Sequence, residues 1–258
     1  DPEGDTVTYS YEWRLNGSAV ATGPALAHTE TAKDQVWTVI ATPSDGTSYG
    51  PAGTADTTIL NTPPVVSSVA ISPDPATNDQ SIGCVASALD ADDGYPATET
   101  TWRNATTGAS LGTGSTFQLS PSLASPGDTV QCDVLATDSD GATDSGTASI
   151  VIGNRDPVLT GISITPAPLA TSTEAVCTAA AEDPDGGLLD TAYAWTDAAG
   201  ASIGSDAALA LDPATVQPTE TLTCTATITD AQGASITATA TATVENTAPE
   251  ITSVSITP

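Results

Sequence analysis

Two kinds of residue in this chain could do chemistry: carboxylates and cysteines. The acids gather in short turns at Asp90, Asp92 and Asp93, at Asp138 and Asp140, at Asp183 and Asp185, and at Asp230, with Asp1, Glu3 and Asp45 in weaker versions of the same phrases. A pair of carboxylates can act as acid and base on a glycosidic bond, provided that one cleft holds both and pushes their pKa values apart. Sets that recur along the chain are more economically structural. A nucleophilic triad lacks its base, since His28 is the only histidine, and Lys33 is the only lysine that could form a Lys–Asn isopeptide bond. The chain reads as a non-enzyme.

The four cysteines come as Cys84 with Cys132 and Cys177 with Cys224, 48 and 47 residues apart, and Trp102 and Trp195 each follow the first cysteine of a pair by 18. Equal numbers at equal spacings argue for one disulfide in each unit. No CxxC supports a metal site instead. Closing loops of this length stabilises a fold by about 4 kcal/mol in the chain-entropy account, and oxidised cysteine belongs outside the cytosol.

The elements that carry these residues repeat. NTPPVVSSVAISP from Asn61 returns as NRDPVLTGISITP from Asn154 and NTAPEITSVSITP from Asn246, at intervals of 93 and 92 residues. Trp13, Trp102 and Trp195 repeat at 89 and 93, and WTVIATPSDG, CDVLATDSDG and CTATITDAQG form a third series. A unit of about 92 residues follows, the size of one small domain. Residues 1–60 read as a truncated repeat lacking its first strands, 61–153 and 154–245 as complete repeats, and 246–258 as the first strand of another. In the first repeat Trp37 stands where the third series puts Cys132 and Cys224, so a large ring is expected in place of the two sulfurs.

Composition narrows the class. Four Lys and Arg against 32 Asp and Glu leave a formal charge of −28, a field that repels nucleic acid and anionic membranes and attracts cations. No apolar run could span a bilayer. With 4% aromatic residues, one Phe and no Met, each core must be thin and stapled. Tyr9, Tyr11 and Trp13 alternate, as do Tyr193 and Trp195, TASIVIG from Thr147 and TATATVE from Thr239, which is the period of a half-buried strand. About seven short strands per repeat are expected, and no helix.

Cys, Trp, Cys in this order resembles the immunoglobulin sandwich, where a bridge between strands B and F packs on the ring of strand C. DPEGDTVTYSYEW and VENTAP look like phrases of bacterial Ig-like, cadherin-like and PKD-like surface repeats. After the Trp, RLNG, RNAT and TDAA depart from the WDFGDG-type continuation of PKD domains, which favours the Ig-like or cadherin-like class. The resemblance implies an all-β fold, tandem immunoglobulin-like β-sandwich domains of about 92 residues arranged as an extended array.

In that fold both acidic loops lie at the end where the preceding linker enters. Asn61 would then meet Asp90, Asp92, Asp138 and Asp140, and Asn154 would meet Asp183, Asp185 and Asp230. Oxygens converging there suit calcium, which takes six to eight in flexible geometry. Asp-x-Asp-Gly is equally a good turn former in its own right. Asn16-Gly-Ser and Asn104-Ala-Thr are sequons, expected on surface turns just after the tryptophan. The implied role is a non-enzymatic, extracellular, secreted or surface-attached stalk or filament acting by length, stiffness and exposure. Its partners would be neighbouring copies of the repeat, head to tail. The alternative is an adhesin whose repeats bind a glycan or protein ligand.

Overall fold

Strands form wherever apolar and polar residues alternate, and the pairing of those strands shows which residues share a face. The protein is described by a computed structural model over residues 3–246 and 248–256; Asp1 lies outside the described residues.

In the first repeat, β1 (Thr8–Leu15), β2 (Ser18–Thr22), β3 (Val36–Ser44) and β4 (Gly53–Thr58) make one antiparallel sheet in the order β2-β1-β3-β4. Asn16 and Gly17, at φ 51° and 82°, close the β1–β2 hairpin. Both must be left-handed for a tight turn to match strand twist, and Asn-Gly is the pair that allows it.

The second repeat holds β5 (Val65–Ser72), β6 (Ala76–Thr77), β7 (Ser81–Leu89), β8 (Ala97–Asn104), β9 (Ser110–Thr113), β10 (Thr116–Gln118), β11 (Thr129–Thr137) and β12 (Thr143–Gly153). A three-stranded sheet β10-β7-β5 faces a five-stranded sheet β6-β12-β11-β8-β9. The third repeat copies this with β13 (Val158–Thr165), β14 (Leu169–Ala170), β15 (Glu174–Glu182), β16 (Asp190–Thr196), β17 (Ser202–Gly204), β18 (Ala208–Ala210), β19 (Thr221–Thr229) and β20 (Ser235–Glu245), as sheets β13-β15-β18 and β14-β20-β19-β16-β17. This is an immunoglobulin-like β-sandwich. Eight strands replace the expected seven because prolines at 73 and 75, and at 166 and 168, interrupt the first strand. Its short second piece then joins the other sheet, parallel to β12 or β20.

The disulfides Cys84–Cys132 and Cys177–Cys224 tie the two sheets of each sandwich. Trp102 lies opposite Cys132 and Trp195 opposite Cys224 in the strand register, and both rings are fully buried. Each indole N–H is satisfied, by Gly114 O at 2.8 Å and Asp206 O at 2.9 Å, as a buried tryptophan requires. Ile82, Leu119, Val130 and Ile152 complete one core; Leu169, Leu211, Leu222 and Val244 complete the other.

Register corrects the expectation for Trp37. Trp13 pairs with Val39, while Trp37 pairs with Leu15, two residues along. Val39 therefore holds the place of Cys132, and Trp37 that of Val130. Asp45 follows Val39 as Asp138 follows Cys132, so the Asp-Gly of the first repeat sits two positions earlier than that of the second, and matching the two phrases slides the strands by one side-chain pair, which keeps the same face inward. Trp37 is buried all the same, on the rim of a hollow of about 430 Å³ lined by Trp13, Leu26 and Ile59. Residues 248–256 form no strand, and Ile251, Val254 and Ile256 stand exposed. A single strand without a neighbour has no ladder to join and nothing to bury.

Replacing Cys177 and Cys224 together by alanine should destabilise the third sandwich by about 2–5 kcal/mol. Hydrogen exchange read by mass spectrometry should show faster exchange in β16, β19 and β20 with β11 and β12 unchanged; equal protection throughout would mean that the bridge contributes nothing.

Candidate functional site

The acidic residues singled out by the sequence meet at the two junctions between repeats. Asp90 and Asp92 lie between β7 and β8, and Asp138 and Asp140 between β11 and β12. Each turn is organised from inside. Asp90 Oδ1 accepts from the N–H groups of Asp92 and Asp93, and Asp138 Oδ1 from those of Asp140 and Ala142. Asp183 and Asp230 do the same for Asp185 and Gly187 and for Gln232 and Ala234. An aspartate that bonds the backbone two residues on makes this turn without help from elsewhere.

The linker adds the next layer, identically at both junctions. Asn61 Nδ2 donates to Asp138 Oδ2 at 2.8 Å, and Asn154 Nδ2 to Asp230 Oδ2 at 2.8 Å. One residue on, Thr62 N donates to Asp92 Oδ2 at 2.6 Å and Arg155 N to Asp185 Oδ2 at 2.6 Å. Asp90, Asp138, Asp185 and Asp230 are all less than a tenth exposed. Carboxylates so far from water keep their charge only if such donors surround them.

Two basic residues that the sequence did not place there complete the junctions. Lys33, from the first repeat, donates to Asp93 and Asp140 and to Ser139 Oγ in the second. Arg155 Nε meets Asp185 Oδ1 at 2.9 Å, while its terminal nitrogens reach back to Asp79 Oδ2 and Asn78 Oδ1, each at 2.7 Å, and to Pro184 O. Asn78, fully buried, is oriented by donating to Ala124 O. The available signal was scarcity: one of only four basic residues lies inside a linker phrase.

These donors bear on calcium. All six carboxylate oxygens of Asp183, Asp185 and Asp230 already accept a hydrogen bond from the chain. Among the described residues, the buried side-chain oxygens left without a partner are Asn61 Oδ1, Asp90 Oδ2 and Asn154 Oδ1. Two at one junction and one at the other fall short of an oxygen cage. Among the described residues, no three Asp, Glu, His or Cys side chains are grouped to hold a metal ion. As arranged, the residues do not fit calcium.

The two sequons part company. Asn16 is exposed at its hairpin tip. Asn104, expected on the surface, is 1% exposed, and its Nδ2, where a glycan would attach, donates to Leu123 O and Asp128 Oδ2. Its Oδ1 accepts from Thr106 and Thr107, so the loop folds over the side chain that organises it.

The amide of Asn61 holds Asp138 below the usual carboxylate range, and that of Asn154 does so for Asp230. Lys33 ammonium, with Ser139 behind it, brings Asp93 down to about 2, and Asp140 and Asp93 in turn raise Lys33. Stabilisation from the depressed acids is present above an unfolded value near 4 and is lost as pH falls through about 2 at Asp93. The lysine's share runs the other way, full below about 10.4 and lost as pH rises through its folded value. A carboxyl-carbon NMR titration should therefore place Asp93 near 2 in the native chain and higher in Lys33→Gln; an unmoved midpoint would remove the lysine as the cause.

No family model matches the sequence, and no curated protein does. Among solved structures, the eight N-terminal Ig domains of Down Syndrome Cell Adhesion Molecule align at 12% identity over 94% of this chain and 35% of that one, with a TM-score of 0.43. This chain spans about a third of that structure's length. A tetra-tandem repeat from the extending region of a large adhesion protein aligns at 16% identity over 93% and 67%, TM-score 0.41. Mouse Cadherin-23 EC22-24 aligns at 16% over 93% and 85%, TM-score 0.33.

Proposed function

We propose that this chain is a non-enzymatic structural segment of an extracellular repeat protein, acting through the length and stiffness of sandwiches joined end to end. The observation that carries the reading is the recurrence of one linker grip. Asn61 on Asp138 with Thr62 on Asp92, and Asn154 on Asp230 with Arg155 on Asp185, form the same two bonds in successive repeats. The loops that in other sandwiches are free to bind ligands are here engaged with the chain's own linker. Two disulfides support an oxidising compartment. Among the described residues no helix is long and apolar enough to cross a membrane.

Such a segment must hold its linkers closed. Limited proteolysis with mass mapping should find residues 60–64 and 153–157 resistant in the native chain. In Asn61→Ala with Asn154→Ala they should be cut about tenfold faster, the effect of one lost hydrogen bond to a charged group at the low end of its range. Equal rates in both proteins would show that the grip does not hold the linkers and would overturn the reading.

A further inference from the structure

The chain carries four basic residues, and their placement is uneven. Arg14 and Arg103 pair within a sheet, with Glu12 and Asp133, and are more than two-fifths exposed. Lys33 and Arg155 each cross from one repeat to the next, with side chains 18% and 25% exposed. The two crossings use different chemistry. Lys33 reaches forward from the first repeat and spends its three protons on Asp93, Ser139 and Asp140. Arg155 is fixed to Asp185 of the third repeat and reaches backward to Asp79 and Asn78 of the second. Thr62 stands where Arg155 would at the first junction, so the two cations do not descend from one repeated position. What recurs is the charge. Without it, Asp79 would stand against Asp185 across the second junction, and Asp93 against Asp140 at the first, in a chain of formal charge −28.

We infer that each junction is closed by a cation belonging to the chain, Lys33 at the first and Arg155 at the second, where a calcium ion was expected, so that the angle between repeats is set without a divalent metal. At the second junction the filled hydrogen bonds of Asp183, Asp185 and Asp230 leave an incoming ion no free oxygen on those acids, and at neither junction are three carboxylates grouped to hold one among the described residues. Monovalent salt becomes the relevant variable. The ion pairs are contacts of 2.5–2.9 Å on partly buried cations, inside the Debye length of about 8 Å at physiological ionic strength, so it takes molar sodium chloride, where that length falls to about 3 Å, to loosen the junctions, and chelators do not. Arginine and lysine also differ here: Arg155 serves Asp185, Asp79, Asn78 and Pro184 through a planar fork that lysine cannot reproduce.

This deepens the structural reading and rests on it. A glycan or protein found to bind the repeats would displace that reading while leaving the following result interpretable. Small-angle scattering of the 258-residue chain should be the same with calcium chloride as with EGTA, and calorimetry should show no stoichiometric calcium binding. Lys33→Gln and Arg155→Gln should each broaden the distance distribution, with unchanged circular dichroism to show that the sandwiches remain folded. Lys33→Arg should restore the first junction and Arg155→Lys should fail to restore the second. Calcium retained at one ion per junction, a scattering curve that shifts on chelation, or glutamine variants that superimpose on the native chain would each overturn the inference.

Discussion

A carboxylate removed from water must be surrounded by donors, and that requirement shapes everything between the repeats. Asp90, Asp138, Asp185 and Asp230 are buried at the end of a sandwich where two loops and a linker come together. Loop N–H groups bond one oxygen each of Asp90, Asp138 and Asp230, which sets the shape of those turns. The second oxygen of Asp138 and of Asp230 is met by a linker asparagine, and both oxygens of Asp185 by the main chain and guanidinium of Arg155. The loops are thereby specified to receive a neighbour, and the acidity of the chain is an asset at the junctions instead of a source of repulsion.

The sandwiches can afford such polar ends because their cores are anchored elsewhere. With so few aromatic residues, the interior relies on a disulfide and one indole per complete repeat, placed opposite one another across β8 and β11 or β16 and β19. The first repeat has neither bridge nor second sheet among the described residues. Trp37 fills part of that space, and the hollow beside Trp13 remains.

Particular residues show how far the sequence could be read. The pairing of Cys84 with Cys132 and Cys177 with Cys224, and the strand identity of the segments around Trp102 and Trp195, were legible because covalent spacing and alternation are local and repeated. Trp37 was misplaced by two residues because the Asp-Gly phrase of its turn sits two positions nearer the strand than that of the second repeat. Asn104 looked like a surface asparagine because a loop that closes over it leaves no trace in nearest-neighbour sequence. The place of Lys33 at the junction was not legible because its partners lie 60 and 107 residues away.

By itself, then, the sequence determined an all-β repeat, its cysteine framework and the meeting of acidic loops with linker asparagines, since each depends on patterns within one unit. Only the tertiary structure decided what those acids do. Whether an aspartate oxygen is open to a metal or already holds an amide, an ammonium or a guanidinium depends on where the linker and the loops come to rest, and that is fixed by the folding of each sandwich and, for Lys33, by how one sandwich is set against the next.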